Sequence, residues 1–258
     1  MSRDRIFVIN LARSKARLAA MAAALEKQGL SFERVDAVDG ATLEDSVVAS
    51  VAPPELIRKT YHRPLSKSEV ACALSHRKAW QQIIDQDLDF GIVLEDDALP
   101  EENFSATVEL IRQLPKGSWD FLKLYALTRR EESNIARQFH HGDHRFVVYR
   151  KFPLGFQGQA ISREAALSMT KHLTKVTEPA DAQLKSWWEA RIYPFGLLPY
   201  SVSTDVGGQS DINPDSGLES IRQNRWTKIA NKIRRGAARA WWTPRLYRRF
   251  REFERRVT

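Results

Sequence analysis

The sequence predicts an α/β fold, a sheet flanked by helices, followed by a basic helical segment at the C-terminus. Short strand-like runs alternate with helix-like segments through most of the chain, which is typical of layered α/β sandwiches. With 258 residues, 43% of them hydrophobic, the chain is long enough to bury a full core. A shift to basic composition predicts one domain over 1–221 and a helical segment over 222–258.

The N-terminal region has the pattern of a strand–helix–strand unit. Arg5–Asn10 is rich in β-forming residues, and Arg13–Gln28 has apolar residues at helical spacing before the stop signal Gly29. Phe32–Asp36 predicts a second strand. Residues 41–64 contain Pro53, Pro54 and Pro64 but no clear period, so they predict a mobile connection.

The next helix has the clearest local signal. Ser66-Lys67-Ser68-Glu69 matches a capping box, in which the serine caps the helix and the glutamate reaches back. The helix is predicted to run to about Asp85. It carries Cys72, most simply a small buried apolar residue, and Ser75-His76. A helical histidine is more often a structural hydrogen-bonding group than a ligand.

Residues 90–97 are the most informative stretch for function. A short buried strand is predicted to run directly into Glu95, Asp96 and Asp97, and Ala98–Pro100 is predicted to end it. Adjacent anions repel one another, and a hard divalent cation that bridges to substrate phosphates would offset this repulsion. Ligands also bind at the carboxyl ends of strands in open α/β sheets. The alternative is a solvated acidic turn.

The remaining elements continue the alternation. Strands are predicted at Phe121–Tyr125, Phe146–Tyr149 and Tyr193–Leu198, and helices at Arg163–His172 and Ala182–Glu189.

Two further acidic clusters lie at or near predicted strand ends or loops. Asp36-Ala37-Val38-Asp39-Gly40 follows the second strand, and Asp181 precedes the last predicted helix of the domain. An aspartate in that position is equally suited to be the N-cap of the helix.

Several classes of protein lack support in the sequence. It contains no dinucleotide-binding glycine motif, phosphate loop, H-E-x-x-H or G-x-S-x-G. The single cysteine excludes an internal disulfide and a cysteine-clustered metal site. There is no run of the ~20 apolar residues needed to span a membrane, and the first residues lack the hydrophobic stretch of a secretory signal. These features predict a reduced, cytoplasmic location.

The basic charge is concentrated in the C-terminal segment. Arg222 to Thr258 contains 13 Lys/Arg and 2 Asp/Glu, a local charge of +11, which leaves −3 of the total +8 for residues 1–221. An apolar stripe recurs at three- and four-residue steps: Trp226, Ile229, Ile233, Ala237, Ala240 and Trp241. Basic side chains occupy the other faces: Lys228, Lys232, Arg235 and Arg239.

A basic amphipathic helix with tryptophans suits an anionic membrane surface. We therefore predict that residues 222–256 contact such a surface. Packing of the stripe on the domain and binding of nucleic acid are the two alternatives. The acidic body, at −3, argues against a nucleic-acid partner.

Several motifs resemble those of glycosyltransferase family 25, which contains lipooligosaccharide galactosyltransferase-like enzymes and relatives of collagen galactosyltransferases. The motifs occur in the family's order: Ile9-Asn10-Leu11 with Arg13 and Arg17, Asp36–Gly40, Ser68–His76, Val93–Ala98 and Gly158–Ala166. Asp181 and Gln209–Ile212 fall where the family has later positions, so the resemblance covers roughly residues 5–212. Ser68 and Ala71 replace glycines of the helix signature.

The resemblance implies an A-type glycosyltransferase fold, a Rossmann-like mixed sheet with flanking helices. It also implies a nucleotide-diphosphate sugar donor and a divalent cation, Mn²⁺ or Mg²⁺. Asp97 would ligate the metal, Glu95 would face the ribose or metal-bound water, and Asp96 would point back into the fold. The implied donor-binding residues are Asn10, Leu11, Arg13, Arg17, Asp36, Asp39, Gly40, Ser75, His76, Glu95 and Asp96. We expect Asp36, Asp39 and Ser75-His76 to face the same cleft as the acidic triplet.

Members of this family invert the anomeric centre, which requires a base for the acceptor hydroxyl. Asp181 is the candidate, with Asp211 next. The expected function is transfer of a hexose from a UDP-sugar to lipopolysaccharide, lipooligosaccharide or another lipid-linked glycan. Galactose is the first choice for the hexose, and glucose is the second. The expected location is cytoplasmic and peripheral, on the inner face of the cytoplasmic membrane. The alternative is a catalytically silent relative that binds a glycan or a nucleotide sugar.

Overall fold

A computed structural model describes residues 3–125, 133–204 and 225–258, with side chains of the last segment from residue 229 on. The strands in these ranges are β1 Asp4–Asn10, β2 Glu33–Asp36, β3 Phe90–Glu95, β4 Ala98–Pro100, β5 Phe121–Lys123, β6 Ile135–His141, β7 His144–Tyr149, β8 Gly158–Ser162, β9 Pro194–Leu198 and β10 Val202–Thr204. The helices are α1 Lys15–Glu26, α2 Asp45–Val51, α3 Pro54–Thr60, α4 Lys67–Asp85, α5 Phe104–Gln113, α6 Arg163–His172, α7 Ala180–Gln183 and α8 Arg225–Val257.

Eight strands form one mixed sheet in the order β2-β1-β3-β8-β5-β9-β7-β6. The first three are parallel, whereas β8 runs antiparallel to both β3 and β5. In this register Asn10 lies opposite Asp36, and Ile9 lies opposite Glu95. The carboxyl ends of β1, β2 and β3 therefore meet at one edge. The predicted α/β class with a mixed sheet and flanking helices is confirmed.

The long helix α4 packs on the end of the sheet formed by β1, β2 and β3. Its predicted capping box is confirmed, because Ser66 Oγ accepts a hydrogen bond from Glu69 N at 3.1 Å and Glu69 Oε2 accepts one from Ser66 N at 2.9 Å. Behind the helix, Gly91 of β3 makes the close approach possible, since an added Cβ would lie 2.6 Å from Ile83. The buried face of α4 and the cap together fix where its first turns stand relative to β3.

Three local predictions are wrong. Residues 41–64 contain α2 and α3 instead of a mobile connection, and Pro54 is the first residue of α3, where proline is favoured. Ala98–Pro100 does not end the strand region but forms β4, which pairs antiparallel with β10. The helix predicted at Ala182–Glu189 is only Ala180–Gln183 plus a 3₁₀ turn. Lys185 and Glu189 are exposed and the other residues of 182–189 are buried, so the stretch has less of a solvent face than an amphipathic helix.

The C-terminal helix α8 is divided into two parts. Leu246, Phe250 and Phe253 are buried. The ring centroid of Phe250 lies 5.0 Å from that of Phe195, and the centroid of Phe253 lies 4.9 Å from that of Phe146. The C-terminal part therefore packs on the sheet, through residues that lie beyond the predicted apolar stripe.

The N-terminal part of α8 leaves its apolar stripe in solvent, where the structure describes it. Ile229, Ile233 and Trp241 are exposed large hydrophobic residues. The side chains of Trp226 and Lys228 and the whole of Gln209–Ile212 lie outside the described residues. Among the described helices, none combines the length and the apolar character that crossing a bilayer requires.

Candidate active site

A pocket of about 450 Å³ lies at the carboxyl edge of β1, β2 and β3, against the first turns of α4. Most of its lining comes from four short segments that the sheet register and the α4 cap bring together. The lining residues are Ile9, Leu11, Arg13, Arg17, Ala37, Val38, Asp39, Gly40, Ala41, Ser66, Lys67, Ser68, Ala71, Cys72, Ser75, His76, Glu95, Asp96, Asp97 and Gln157.

Asp97 is the most unusual group in the pocket. Its Oδ1 atom is buried and has no hydrogen-bond partner among the described residues. Burial, and then the charges of Glu95 and Asp96, raise the pKa of Asp97 to about 7. The ionised form of a carboxylate with one buried, unpaired oxygen and two other anions beside it is disfavoured unless a cation joins it. Asp97 therefore fits the oxygen-ligand chemistry of a hard divalent cation.

Asp96 is held by the protein itself. Asn10 Nδ2 donates to its Oδ2 at 2.7 Å, and Arg17 Nη1 lies 3.5 Å from its Oδ1. Burial raises the pKa of Asp96, and these two partners act in the opposite direction. Asn10 is itself buried and stands behind the pocket wall. Its place in the arrangement is to orient Asp96.

Glu95 is tied to the buried His76. His76 Nε2 lies 2.9 Å from Glu95 Oε1, and Gln159 Nε2 lies 3.1 Å from His76 Nδ1. Because the amide nitrogen can only donate, His76 Nδ1 accepts, and the Nε2–H group donates to Glu95. Both ring nitrogens are thus engaged. His76 therefore acts as a structural hydrogen-bonding group, which is the more common role of a helical histidine. Its bond to Glu95 sets the direction of that carboxylate.

Cys72 lies in the pocket, although the sequence suggested a simple core residue. Its sulfur, a His76 nitrogen and a Glu95 oxygen lie within 4.8 Å of one another and could hold a metal ion. However, burial raises the pKa of the Cys72 thiol well above its ordinary value, and Glu95, Asp181 and Asp97 raise it further. A protonated thiol and an imidazole already bonded at both nitrogens are poor metal ligands. The carboxylates of Asp97 and Glu95 suit a metal better.

The segment after β2 forms the opposite wall. Val38 N donates to Ser75 Oγ at 2.8 Å, and Ser75 Oγ donates to Ala71 O at 2.7 Å. Gly40 rests on the start of α4, where an added Cβ would lie 2.9 Å from the backbone N and Cα of Ser68. Ser68 is compatible with this contact, because the space comes from the missing Cβ of Gly40.

Asp39 and Asp36 differ in whether they line the pocket. Asp39 lines the pocket, accepts from Ala41 N at 2.9 Å and pairs with Arg13. Asp36 does not line the pocket, contrary to expectation. Its side chain is 74% exposed and lies 2.6 Å from Arg34. It ends an edge strand, so its carboxylate turns to solvent.

Asp181 is neither a lining residue nor the N-cap of α7. The N-cap position is Pro179, and Asp181 Oδ2 instead accepts from Gly155 N at 2.9 Å. This bond holds the loop that carries Gln157 to the pocket. Asp211, the second candidate base, lies outside the described residues.

Among the lining residues that were not predicted as site residues, Lys67 has a charged side chain and Gln157 has an amide. Lys67 Nζ donates to Leu43 O and pairs with Asp45, each at 2.8 Å. The position of Lys67 inside the capping box could have indicated that it lies near the site. Gln157 enters because Glu95 N donates to its backbone carbonyl at 3.1 Å, and its buried Oε1 has no hydrogen-bond partner among the described residues. Nothing local in the sequence indicates that pairing.

Comparison with known proteins agrees with this arrangement. Residues 3–184 match the family described as "Glycosyltransferase family 25 (LPS biosynthesis protein)". The chain belongs to this family. Its mixed sheet with flanking helices accords with the Rossmann-like architecture that the resemblance implied.

Similar proteins include a procollagen galactosyltransferase and a family member described as probably inactive. Procollagen galactosyltransferase 2 of Mus musculus is 35% identical over 129 residues, which are 48% of this chain and 21% of that protein. Probable inactive glycosyltransferase 25 family member 3 of Rattus norvegicus is 35% identical over 142 residues, 53% of this chain and 25% of that protein. The chain thus spans about a quarter of the length of these relatives.

A similar solved structure is that of a glycosyltransferase involved in the glycosylation of the major capsid of PBCV-1. Its TM-score is 0.48 at 10% identity, over 80% of this chain and 94% of that chain.

Proposed function

We propose that this chain is an inverting glycosyltransferase that moves a hexose, galactose or glucose, from a UDP-sugar to lipopolysaccharide, lipooligosaccharide or another lipid-linked glycan. The observation that carries the proposal is Asp97. Its buried, unpaired oxygen stands beside two other carboxylates in the wall of the pocket. A buried, unpaired carboxylate oxygen lowers the stability of the fold. It suits a site that takes up a cation with its substrate.

Mn²⁺ or Mg²⁺ would be held by Asp97 with Glu95. When bound, such an ion neutralises the charge that develops on a pyrophosphate leaving group. Around the carboxylates, Arg13, Arg17 and Lys67 supply positive charge to the pocket, which suits the phosphates of a donor. The volume of about 450 Å³ is in the usual range for a small-molecule site.

The acceptor hydroxyl must lose its proton during an inverting transfer, and Asp181 is the proposed base. One oxygen of its carboxylate is occupied by Gly155 N, so the bond orients the side chain and leaves Oδ1 for an acceptor. Asp181 is also near enough to raise the pKa of the Cys72 thiol in the pocket. It therefore lies close to the donor site without being committed to the metal cluster.

A lipid-linked acceptor accords with the basic segment 222–256. We propose that this segment holds the protein on an anionic membrane surface, peripherally on the inner face of the cytoplasmic membrane, and that nucleic acid is not its partner. The exposure of Ile233 and Trp241 supports this, because large apolar side chains beside basic residues favour a membrane interface.

A silent binding module is the second candidate, because some relatives are described as inactive. The test is thermal stabilisation and UDP release with UDP-galactose or UDP-glucose, with and without Mn²⁺. The Asp97→Asn variant is compared with Asp143→Asn, which changes a turn residue between β6 and β7. Metal-dependent UDP release that only Asp97→Asn abolishes supports the enzyme. Stabilisation without release or transfer supports the silent module, and no stabilisation by any nucleotide sugar contradicts both.

A further inference from the structure

A second cavity, of about 560 Å³, lies between β6 and α8. Its charged lining residues are Arg137 from β6 with Arg239 and Arg251 from α8, and its lining contains no carboxylate. A neighbouring groove shares Arg137 and Arg251 and adds Arg145, with Glu254 as its one acidic residue. Positive charge is therefore concentrated here well away from the residues of the active site.

The cavity arginines differ from the two arginines that attach α8 to the domain. Arg235 pairs with Glu178, and Arg249 donates to Gly117 O at 2.6 Å, so these two side chains attach the helix to the domain. In contrast, no carboxylate in the described ranges forms an ion pair with Arg137, Arg239 or Arg251. Three like charges around one cavity repel, and a phosphate group that accepts hydrogen bonds from guanidinium groups would offset this.

The cavity is a built feature, because its walls are held in place. Phe250 and Phe253 fix α8 on the sheet. The guanidinium group of Arg137 lies over the ring of Tyr247, 4.6 Å from its centroid. A stacked guanidinium keeps its donors directed, so the cavity presents positioned hydrogen-bond donors.

Exposed apolar side chains lie on the same helix as two of the cavity arginines. Ala240 and Pro244 line the cavity. On the same helix Ile233 is 66% exposed and Trp241 is 65% exposed. A ligand that combines an anionic head with an apolar body satisfies both surfaces, whereas a soluble phosphate or a nucleic-acid backbone satisfies only the arginines.

We propose that this cavity binds the phosphate headgroup of an anionic phospholipid while Ile233 and Trp241 enter the interfacial layer of the bilayer. The purpose of this headgroup site rests on the proposed function, because the site is the surface that meets a membrane-borne acceptor. No step of donor binding depends on it. The two proposals can therefore fail separately.

The test is flotation of the full chain with phosphatidylcholine vesicles, with or without phosphatidylglycerol. The Arg137→Gln/Arg251→Gln variant is compared with Arg248→Gln/Arg255→Gln, which removes the same charge from exposed positions outside the cavity. We expect parent binding only with phosphatidylglycerol, and about tenfold more loss for the cavity pair than for the control pair. Equal loss in the two variants would mean diffuse charge and would overturn the headgroup site.

A second readout follows Trp241 directly. Quenching by lipids brominated in their acyl chains should be weaker for Trp241→Phe than for the parent, and equal quenching contradicts insertion at this residue. Thermal stabilisation by inorganic phosphate without vesicle binding, or tighter binding to duplex DNA than to vesicles, also overturns the proposal. UDP binding with Mn²⁺, measured without vesicles, should be the same in all these variants, and its absence in the parent would instead count against the proposed function.

Discussion

His76 Nε2 lies 2.9 Å from Glu95 Oε1, so a fully buried imidazole on α4 sets the direction of a carboxylate at the end of β3. Gln159 on β8 engages the other ring nitrogen. Three separate elements thus agree on the orientation of one pocket oxygen. Such outer partners of a metal-binding carboxylate affect binding without touching the ligand.

We expect His76→Gln to lower the affinity for Mn²⁺ in the presence of UDP by about 10–100-fold, the range found when a partner of a metal ligand is lost. The reason is that Glu95 loses its fixed donor. Calorimetric titration measures the effect, and circular dichroism checks that the variant is folded. His172→Gln is a control on a different helix, α6. Unchanged affinity in His76→Gln would remove His76 from the site.

Asp97 is expected to make the metal-free protein less stable as pH rises. Its pKa is raised from an ordinary value near 3.8 to about 7, so the folded state holds a proton that the unfolded state releases. The free energy of unfolding contributed by this group is therefore highest below about pH 4, falls up to about pH 7 and is level above it.

The Asp97→Asn variant isolates this contribution. In EDTA it should exceed the parent in free energy of unfolding by on the order of 4 kcal/mol at pH 8, since the pKa of Asp97 is raised from 3.8 to about 7 and each raised unit corresponds to about 1.4 kcal/mol. The two should converge near pH 4. Urea denaturation at both pH values gives the comparison. A constant difference across pH would show that Asp97 is not protonated in the folded state.

Gly40→Ala is expected to disturb the pocket through a backbone contact. The new Cβ would stand 2.9 Å from the backbone of Ser68, which cannot move without displacing the start of α4. We expect at least about tenfold weaker UDP binding and a loss of 1–3 kcal/mol in stability. Gly236→Ala, where nothing lies within 4 Å, should instead stabilise α8 by up to about 1 kcal/mol. Equal behaviour of the two variants would contradict the contact.

Asp181 has two separable roles that two substitutions distinguish. Asp181→Asn keeps an oxygen for Gly155 N, so donor binding should be near normal while transfer falls by the ~10²–10⁴-fold typical of lost acid–base assistance. Asp181→Ala also removes the bond to Gly155 and should weaken donor binding. Single-turnover transfer and UDP titration measure the two effects. If Asp181→Asn retains full transfer, the base lies elsewhere and Asp211 becomes the candidate.

Phe253→Ala should destabilise the whole domain, because the side chain is buried between Phe146 and Phe195. The expected loss is about 3–5 kcal/mol, as for other large aromatic truncations in cores. Ile233→Ala, on the exposed part of the same helix, should change stability by less than about 0.5 kcal/mol. Guanidinium denaturation gives both values. A small effect at Phe253 would mean that the helix folds independently of the sheet.

Signals within a few residues were sufficient for much of this structure. The alternation of elements, the capping box at Ser66 and the acidic end of β3 all depend on neighbours along the chain, and each is present as predicted. The same local reasoning led to a wrong account of residues 41–64 and of the stretch after Asp181. In the first, a local signal was missed, because Pro54 marks the start of α3 and α2 has no buried residue. In the second, the outcome depends on burial against other elements, which local periodicity does not report.

Only the tertiary structure decided which carboxylate is free. Asp36, Asp96 and Asp97 all lie at the carboxyl ends of strands, yet the first turns to solvent, the second is held by Asn10, and the third keeps a buried unpaired oxygen. Likewise Gln157 reaches the pocket through a bond to Glu95 that joins residues far apart in sequence. Sequence by itself determined the chemistry available at this sheet edge. Register and packing decided which atoms are left to bind a ligand, because a side chain's unsatisfied groups depend on all its neighbours in space.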